Sequence, residues 1–212
     1  MNKFFLPALL AASLLAAAPA SAQKKAKAAA TQTAAASYKL QPQLSTLGWI
    51  GKKVTGAHNG TMQFQDGSIA VRGNQIVGGK FVVDMTSLKV EDLKDADSNA
   101  KLVGHLRSDD FFSIDKNATS TFTITSITPL RGDAKGNNST VTGDLTIKGI
   151  TQRISFPAKT GVKGGLASAT GVATIDRTKF DIKYGSKSFF ESIGDKAIMD
   201  EFTLDFNVIA KK

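Results

Sequence analysis

The chain has no cysteine. That excludes a lipid-modified cysteine, any disulfide and any thiolate chemistry. Histidine is nearly absent as well: His58 in TGAHNGT and His105 in GHLRSDDFFSI are the only two in 212 residues. Neither belongs to an HExxH motif or to another spacing that gathers metal ligands, and no GxSxG elbow supplies a serine for either to activate. Catalytic residues, a metal and a cofactor are therefore not expected. Long apolar runs are missing after the first residues, so no helical membrane span is expected in the remainder. A basic stripe interleaved with aromatics is missing too, which speaks against a nucleic-acid partner.

What is present begins with MNKFFLPALLAASLLAAAPASAQ. Lys3, the apolar run from Phe4 to Ala18, and small residues at Ala20 and Ala22 read as a secretory leader over residues 1–22, cleaved after Ala22. The setting this implies is the periplasm, with full secretion as the alternative. Residues 23–37, rich in Ala, Lys, Thr and Gln without an apolar face, read as a flexible tether. The formal charge of +9 drops by one with Lys3, and Lys24, Lys25 and Lys27 place part of the excess on the tether. Such a balance suits transient contact with an anionic membrane surface and equally suits plain solubility.

The remainder, residues 38–210, is sized for one domain and patterned for strands. Met62 and Phe64 alternate with polar residues, as do Ile69 and Val71, and Gly67 between the two pairs suggests a hairpin turn. The same period of two carries Phe81, Val83 and Met85; Phe122 and Ile124; Val141, Leu145 and Ile147, in phase with Gly143 and Gly149; Ile154 and Phe156; and Phe202, Leu204, Phe206 and Val208. SATGVATID is a weaker strand. Eight or nine antiparallel strands with one apolar face each can bury it in a sandwich or in a closed barrel, and periodicity does not choose between them.

Two interruptions carry helix signals. NAKLVGHLRS, capped by Asp97 or Ser98, places Leu102, Val103 and Leu106 on one side. SKSFFESIGDK, capped by Ser186 or Ser188 and stopped by Gly194, is the second. Each adjoins a phenylalanine pair, Phe111–Phe112 and Phe189–Phe190, that either pins its segment to the sheet or lines a mouth. In SDDFF, Asp109 or Asp110 reads as a helix cap rather than an acid–base pair.

HNGTMQF, GGKFVVDMTSLKVEDL, GHLRSDDFF, STFTITSI, VTGDLTIKGITQRISFPA and IDRTKFDIKYGSKSFF, in that order, resemble the YceI-like family of polyisoprenoid-binding envelope proteins. The resemblance covers about Tyr38 to Val208. It implies an all-β fold: an extended, antiparallel, lipocalin-like β-barrel of about eight strands with one or two short helices. The implied activity is non-catalytic binding, storage or transport of a long-chain apolar lipid, a polyisoprenoid or related amphiphile. A ligand-free interaction protein and a lipid-acting enzyme using the His105 region are the alternatives. The family's histidines fall on His58 and His105, its His-Leu-Arg-Ser stretch continues through Arg107, and its arginine near the penultimate strand falls on Arg177. Asp181 stands where the family often has glycine.

The expected lipid-binding wall is Met62, Phe64, Phe81, Phe111, Phe112, Phe122, Ile124, Leu145, Ile147, Phe156, Phe202, Leu204 and Phe206. Gly78, Gly79, Gly143 and Gly149 are expected to free interior volume or to permit strand coiling. His58, His105, Arg107 and Arg177 are expected at a structural rim, held by hydrogen bonds. A lipid is the expected partner, and a homodimer is compatible with the sequence.

Overall fold

The computed structural model describes residues 34–191 and 194–212. The expected leader, residues 1–22, and most of the expected tether lie outside them. The first strand, β1 (Ala36–Leu40), includes Ala36 and Ser37, which were expected to lie in the tether. The others are β2 (Thr46–Lys53), β3 (Gly56–Arg72), β4 (Gln75–Val90), β5 (Thr119–Pro129), β6 (Ser139–Ile147), β7 (Ile150–Lys163), β8 (Leu166–Asp176) and β9 (Ile198–Lys211).

Every pairing is antiparallel, and the sheet runs β3-β2-β9-β8-β7-β6-β5-β4 and returns to β3 through the β3–β4 ladder. Closure removes both edges and turns all the apolar faces inward, which is why the barrel prevails over the sandwich. β1 occupies the same barrel position as β2, farther along. Both lie between β3 and β9, with Tyr38 opposite Ile69 and Leu40 opposite Ala210 for β1, and Leu47 opposite Met62 and Phe206 for β2. A 3-10 turn at Pro42–Leu44 interrupts this one long strand. β3 has 17 residues and β4 has 16, so at about 3.3 Å per residue the barrel wall extends about 50 Å there.

Three expectations need correction. Gly67 is not a turn: it lies inside β3 opposite Phe81, and the hairpin turns at Gly73 instead. The change of parity between Met62/Phe64 and Ile69/Val71 comes from a register shift between Phe64 and Asp66. A bulge reverses which residues face inward just as a turn would, so sequence alternation cannot separate the two. Gly149 is not on the inner face of a strand; with Lys148 it forms the β6–β7 turn, at φ 74° and 52°. The second helix is replaced by turns and a 3-10 segment at Gly194–Lys196 among the described residues. The one α-helix among the described residues, α1 (Ala96–Arg107), starts a little earlier than expected, because Asp95 is its cap and accepts from the Ser98 amide at 2.9 Å.

The interior is packed densely at two ends. One core joins Tyr38, Leu40, Ile69, Val71, Ile76 and Ala210 near the β3–β4 hairpin. The other joins Trp49, Leu88, Leu106, Phe111, Phe180 and Ile182 beneath α1 and the loop after β8. Between them, Met62, Val83, Phe122, Ile124, Ile127, Leu204 and Phe206 are only partly buried and touch both.

Glycine has a different role here from freeing volume. A Cβ on Gly143 would stand 2.4 Å from Phe122 Cζ and 2.6 Å from the Thr123 carbonyl oxygen. On Gly171 it would meet the Phe206 ring at 3.1 Å and the Pro157 carbonyl at 2.8 Å. Each ring therefore lies against the bare backbone of the neighbouring strand. Gly143→Ala should lower stability by about 2 kcal/mol, the usual cost of overpacking. Adding Phe122→Leu should restore only part of that, since the carbonyl cannot move away. An unchanged urea midpoint for Gly143→Ala would show that the ring shifts freely.

Candidate functional site

The half-filled middle of the barrel holds a cavity that opens to solvent at its mouth. Its wall is almost wholly apolar because it is assembled from the inward positions of β2 through β9. All of the expected wall residues except Phe111 line it, from Met62 and Phe64 on β3 to Phe202, Leu204 and Phe206 on β9. Phe122, Phe156 and Phe206, on alternate strands, form a row with ring centroids 5.5 and 5.4 Å apart. Gly143 on β6 and Gly171 on β8 lie between those strands, so the rings spread sideways over glycine and leave the centre open. Each such aromatic contact adds about 1 kcal/mol beyond its buried area.

Sequence reasoning missed one side of the wall. β8 contributes Ala169, Ala173 and Ile175, and the strand that looked weak is the one whose small side chains leave room. The available signal was a period of two in small residues, Ala167, Ala169, Gly171 and Ala173. Ile127 and Thr160 were also missed. Two hydroxyls on the wall are engaged: Ser120 donates to the Thr146 carbonyl at 2.6 Å, and Thr160 bonds Ser139 at 2.7 Å. The β4–β5 ladder joins only Gly79–Asp84 to Thr119–Ile124. Beyond it the two strands diverge, with Ile76 and Ile127 on either side.

Phe111 and Phe112 separate. Phe112 reaches the cavity, whereas Phe111 is buried under α1 and packs against His105, centroids 4.9 Å apart, and Tyr184, 5.6 Å apart. Phe189 and Phe190 do neither of the things expected of them: they are 48% and 51% exposed and line no part of the cavity.

The four rim residues are distributed around the α1 end of the barrel and do not converge on one point. His58 Nδ1 lies 2.7 Å from Asp92, whose other oxygen accepts from the Asn59 amide at 2.9 Å. Burial alone would raise the Asp92 carboxyl, but Asn59 and His58 hold it below its ordinary value. His105 Nε2 stands 3.4 Å from Asp110, and its ring meets Tyr184 edge-on at 4.5 Å. Arg107 donates to the Thr86 carbonyl at 3.2 Å, tying α1 to β4. Asp109 is not a helix cap; it accepts from Ser113 and from Lys116 in the turns after α1. Among the described residues no three His, Asp or Glu side chains gather as metal ligands would.

Arg177 is 4% exposed and donates to four backbone carbonyls, of Met199, Ile182, Tyr184 and Ile198, at 2.8–3.0 Å. It thereby fastens the loop after β8 to the start of β9. Burial lowers its proton affinity, and Asp200 and Asp176 offset part of that. Asp200 Oδ1, buried without a hydrogen bond, faces the guanidinium at 3.6 Å. Burial acts to raise the Asp200 carboxyl, but the nearby hydroxyls of Ser186 and Ser188 and the charge of Arg177 outweigh it and hold it low. A depressed carboxyl stabilises the fold above its unfolded pKa and loses that contribution as pH falls through the folded value. Asp200→Asn should therefore be less stable at neutral pH, and the difference from wild type should shrink as pH falls below the ordinary aspartate value of 3.8 and vanish only below the lowered folded value. Parallel urea midpoints across that range would remove the carboxylate from the account. At Asp181 the backbone is left-handed, φ 58° and ψ 30°. Aspartate tolerates that conformation better than most residues, so it can replace the family's glycine without changing the turn.

Fold and cavity together define a class: a closed antiparallel β-barrel, capped by a short helix, around an apolar interior large enough for a slender guest. Comparison with known proteins gives the family. A family model described as the YceI-like domain matches residues 38–210, and the chain belongs to that family. Two UPF0312 proteins, from Pseudomonas paraeruginosa and Pseudomonas aeruginosa, are each 35% identical to it over 85 residues, which is 37% of this chain and 42% of theirs. The alignment thus spans less than half the length of these relatives. Among solved structures, BcnA of Burkholderia cenocepacia superposes with a TM-score of 0.62 at 23% identity, over 81% of this chain and 99% of that one. A polyisoprenoid-binding domain from Saccharophagus degradans gives 0.55 at 15% identity, over 82% and 97%. At these identities the superpositions establish the lipocalin-like barrel.

Proposed function

We propose that this protein binds the hydrocarbon tail of a long-chain lipid, a polyisoprenoid or related amphiphile, inside the barrel and stores or carries it without chemical change. The observation that carries the reading is this half-filled cavity, whose wall offers a guest hydrocarbon and few free polar groups. Burying ~400 Å² of tail at ~25 cal/mol per Å² supplies about 10 kcal/mol before association costs. Micromolar binding therefore needs no polar contact. An interaction protein without a ligand would fill this interior with its own side chains.

Binding rather than catalysis is supported by what the histidines face. His58 meets Asp92 and His105 meets Asp110, and neither has a hydroxyl nucleophile in the pairing that acyl transfer requires. The leader-like start supports a periplasmic setting, where such a carrier would move lipid between membranes.

The test is native mass spectrometry of the protein purified from its own envelope, followed by extraction of the bound material. A long-chain apolar lipid released unchanged is expected. Lipid-free protein that takes up no long-chain lipid from vesicles, or lipid recovered altered, would refute the reading.

A further inference from the structure

Beside the main cavity, toward α1, is a second, smaller apolar space that also opens to solvent. Three side chains line both: Met62 on β3, Phe202 on β9 and Phe112 in the turns after α1. The partition between the two spaces is therefore one side chain thick. Met62 and Phe202 belong to the barrel wall: Phe202 is paired with Gly51 and Ile175 on its two flanks, and Met62 is paired with Leu47 on one flank and lies at the β3–β4 register shift on the other. Phe112 reaches in from outside the sheet, held by its own amide donating to the Leu106 carbonyl at 3.1 Å.

The smaller space is chemically like the larger. Trp49, Leu88, Leu106 and Ile182 contribute apolar surface. Arg177 and Glu201 also border it, but the guanidinium donates to four backbone carbonyls and has little left for a headgroup, and a carboxylate repels an anionic one. Such a chamber accepts hydrocarbon rather than phosphate. It meets the surface at Met199, which is 51% exposed.

We propose that the two chambers are successive parts of one tail-binding tunnel, and that Phe112 sets the length of tail the protein accepts. In its present position the ring ends the main chamber. A tail short enough to stop at Phe112 buries all its surface, and each further isoprene unit gains nothing unless the ring is removed or displaced. This inference rests on the tail-binding reading above.

Trp49 is the only tryptophan of the chain, and it lines the second chamber alone. Its fluorescence therefore reports occupancy of that chamber by a brominated tail, since bromine quenches indole on contact. The experiment measures affinities of farnesol, geranylgeraniol and solanesol, and Trp49 quenching by fatty acids brominated near the tail end, for wild type and Phe112→Ala. Wild-type affinity should rise with length and then level off, with little quenching. In Phe112→Ala the plateau should move to longer prenols, the longest binding about tenfold tighter than in wild type, and long brominated tails should quench Trp49. Met62→Ala opens the partition from the other side and serves if Phe112→Ala does not fold. An unchanged length profile with silent Trp49 in either folded variant overturns the proposal. Failure of wild type to bind any prenol or fatty acid is a different result, because it removes the tail-binding reading itself.

Discussion

Replacing Ala169 with tryptophan is expected to weaken binding of a long-chain lipid by roughly 70-fold while the barrel stays folded. Ala169 projects from β8 into the cavity, on the side where small residues leave space. An indole there occupies room that the tail would fill. If it displaces ~100 Å² of buried tail surface, the loss at ~25 cal/mol per Å² is about 2.5 kcal/mol, which sets the expected factor. Ser168→Trp is the control, because Ser168 is the exposed, outward neighbour on the same strand. It should bind as wild type does. Titration with a fluorescent fatty acid, alongside a thermal melt, checks both. Equal affinity for Ala169→Trp and wild type would mean that the guest does not occupy this cavity. Gly143 is unsuitable for the same purpose, because Phe122 and the Thr123 carbonyl already occupy the space that a side chain there would enter.

Arg177→Met should cost about 4 kcal/mol of stability. The methionine replaces most of the buried hydrocarbon but none of the donors, leaving four carbonyls and the Asp200 carboxylate without their partner. Since a whole domain is stable by only about 5–15 kcal/mol, this substitution alone approaches unfolding. Arg177→Lys keeps a charge but offers one ammonium in place of a planar fork, and should fall between the two. Urea denaturation measures the series. A loss below 1 kcal/mol for Arg177→Met would show that the loop after β8 is held by other contacts, such as the packing of Phe180 and Ile182.

Much of this was legible in the sequence, for a physical reason: inward and outward residues alternate in a strand, so the face of Phe202, Leu204 and Phe206 is fixed before any partner strand is known. Alternation, however, carries information along a strand and none across strands. The sequence alone therefore identified most of the strands but not β1, most of the apolar wall and, through the family motifs, the barrel. It misread Gly67, since a bulge and a turn both reverse parity. It misplaced Phe111, whose adjacency to Phe112 does not say which ring enters the barrel and which stacks under α1. It also took Gly143 for empty space, because the ring that lies against it comes from β5, about twenty residues earlier. The tertiary structure alone decided register, and register decides volume: where Phe122 and Phe206 lie over Gly143 and Gly171, and where β8 presents alanine, the side chains do not fill the centre and a cavity remains between two packed ends.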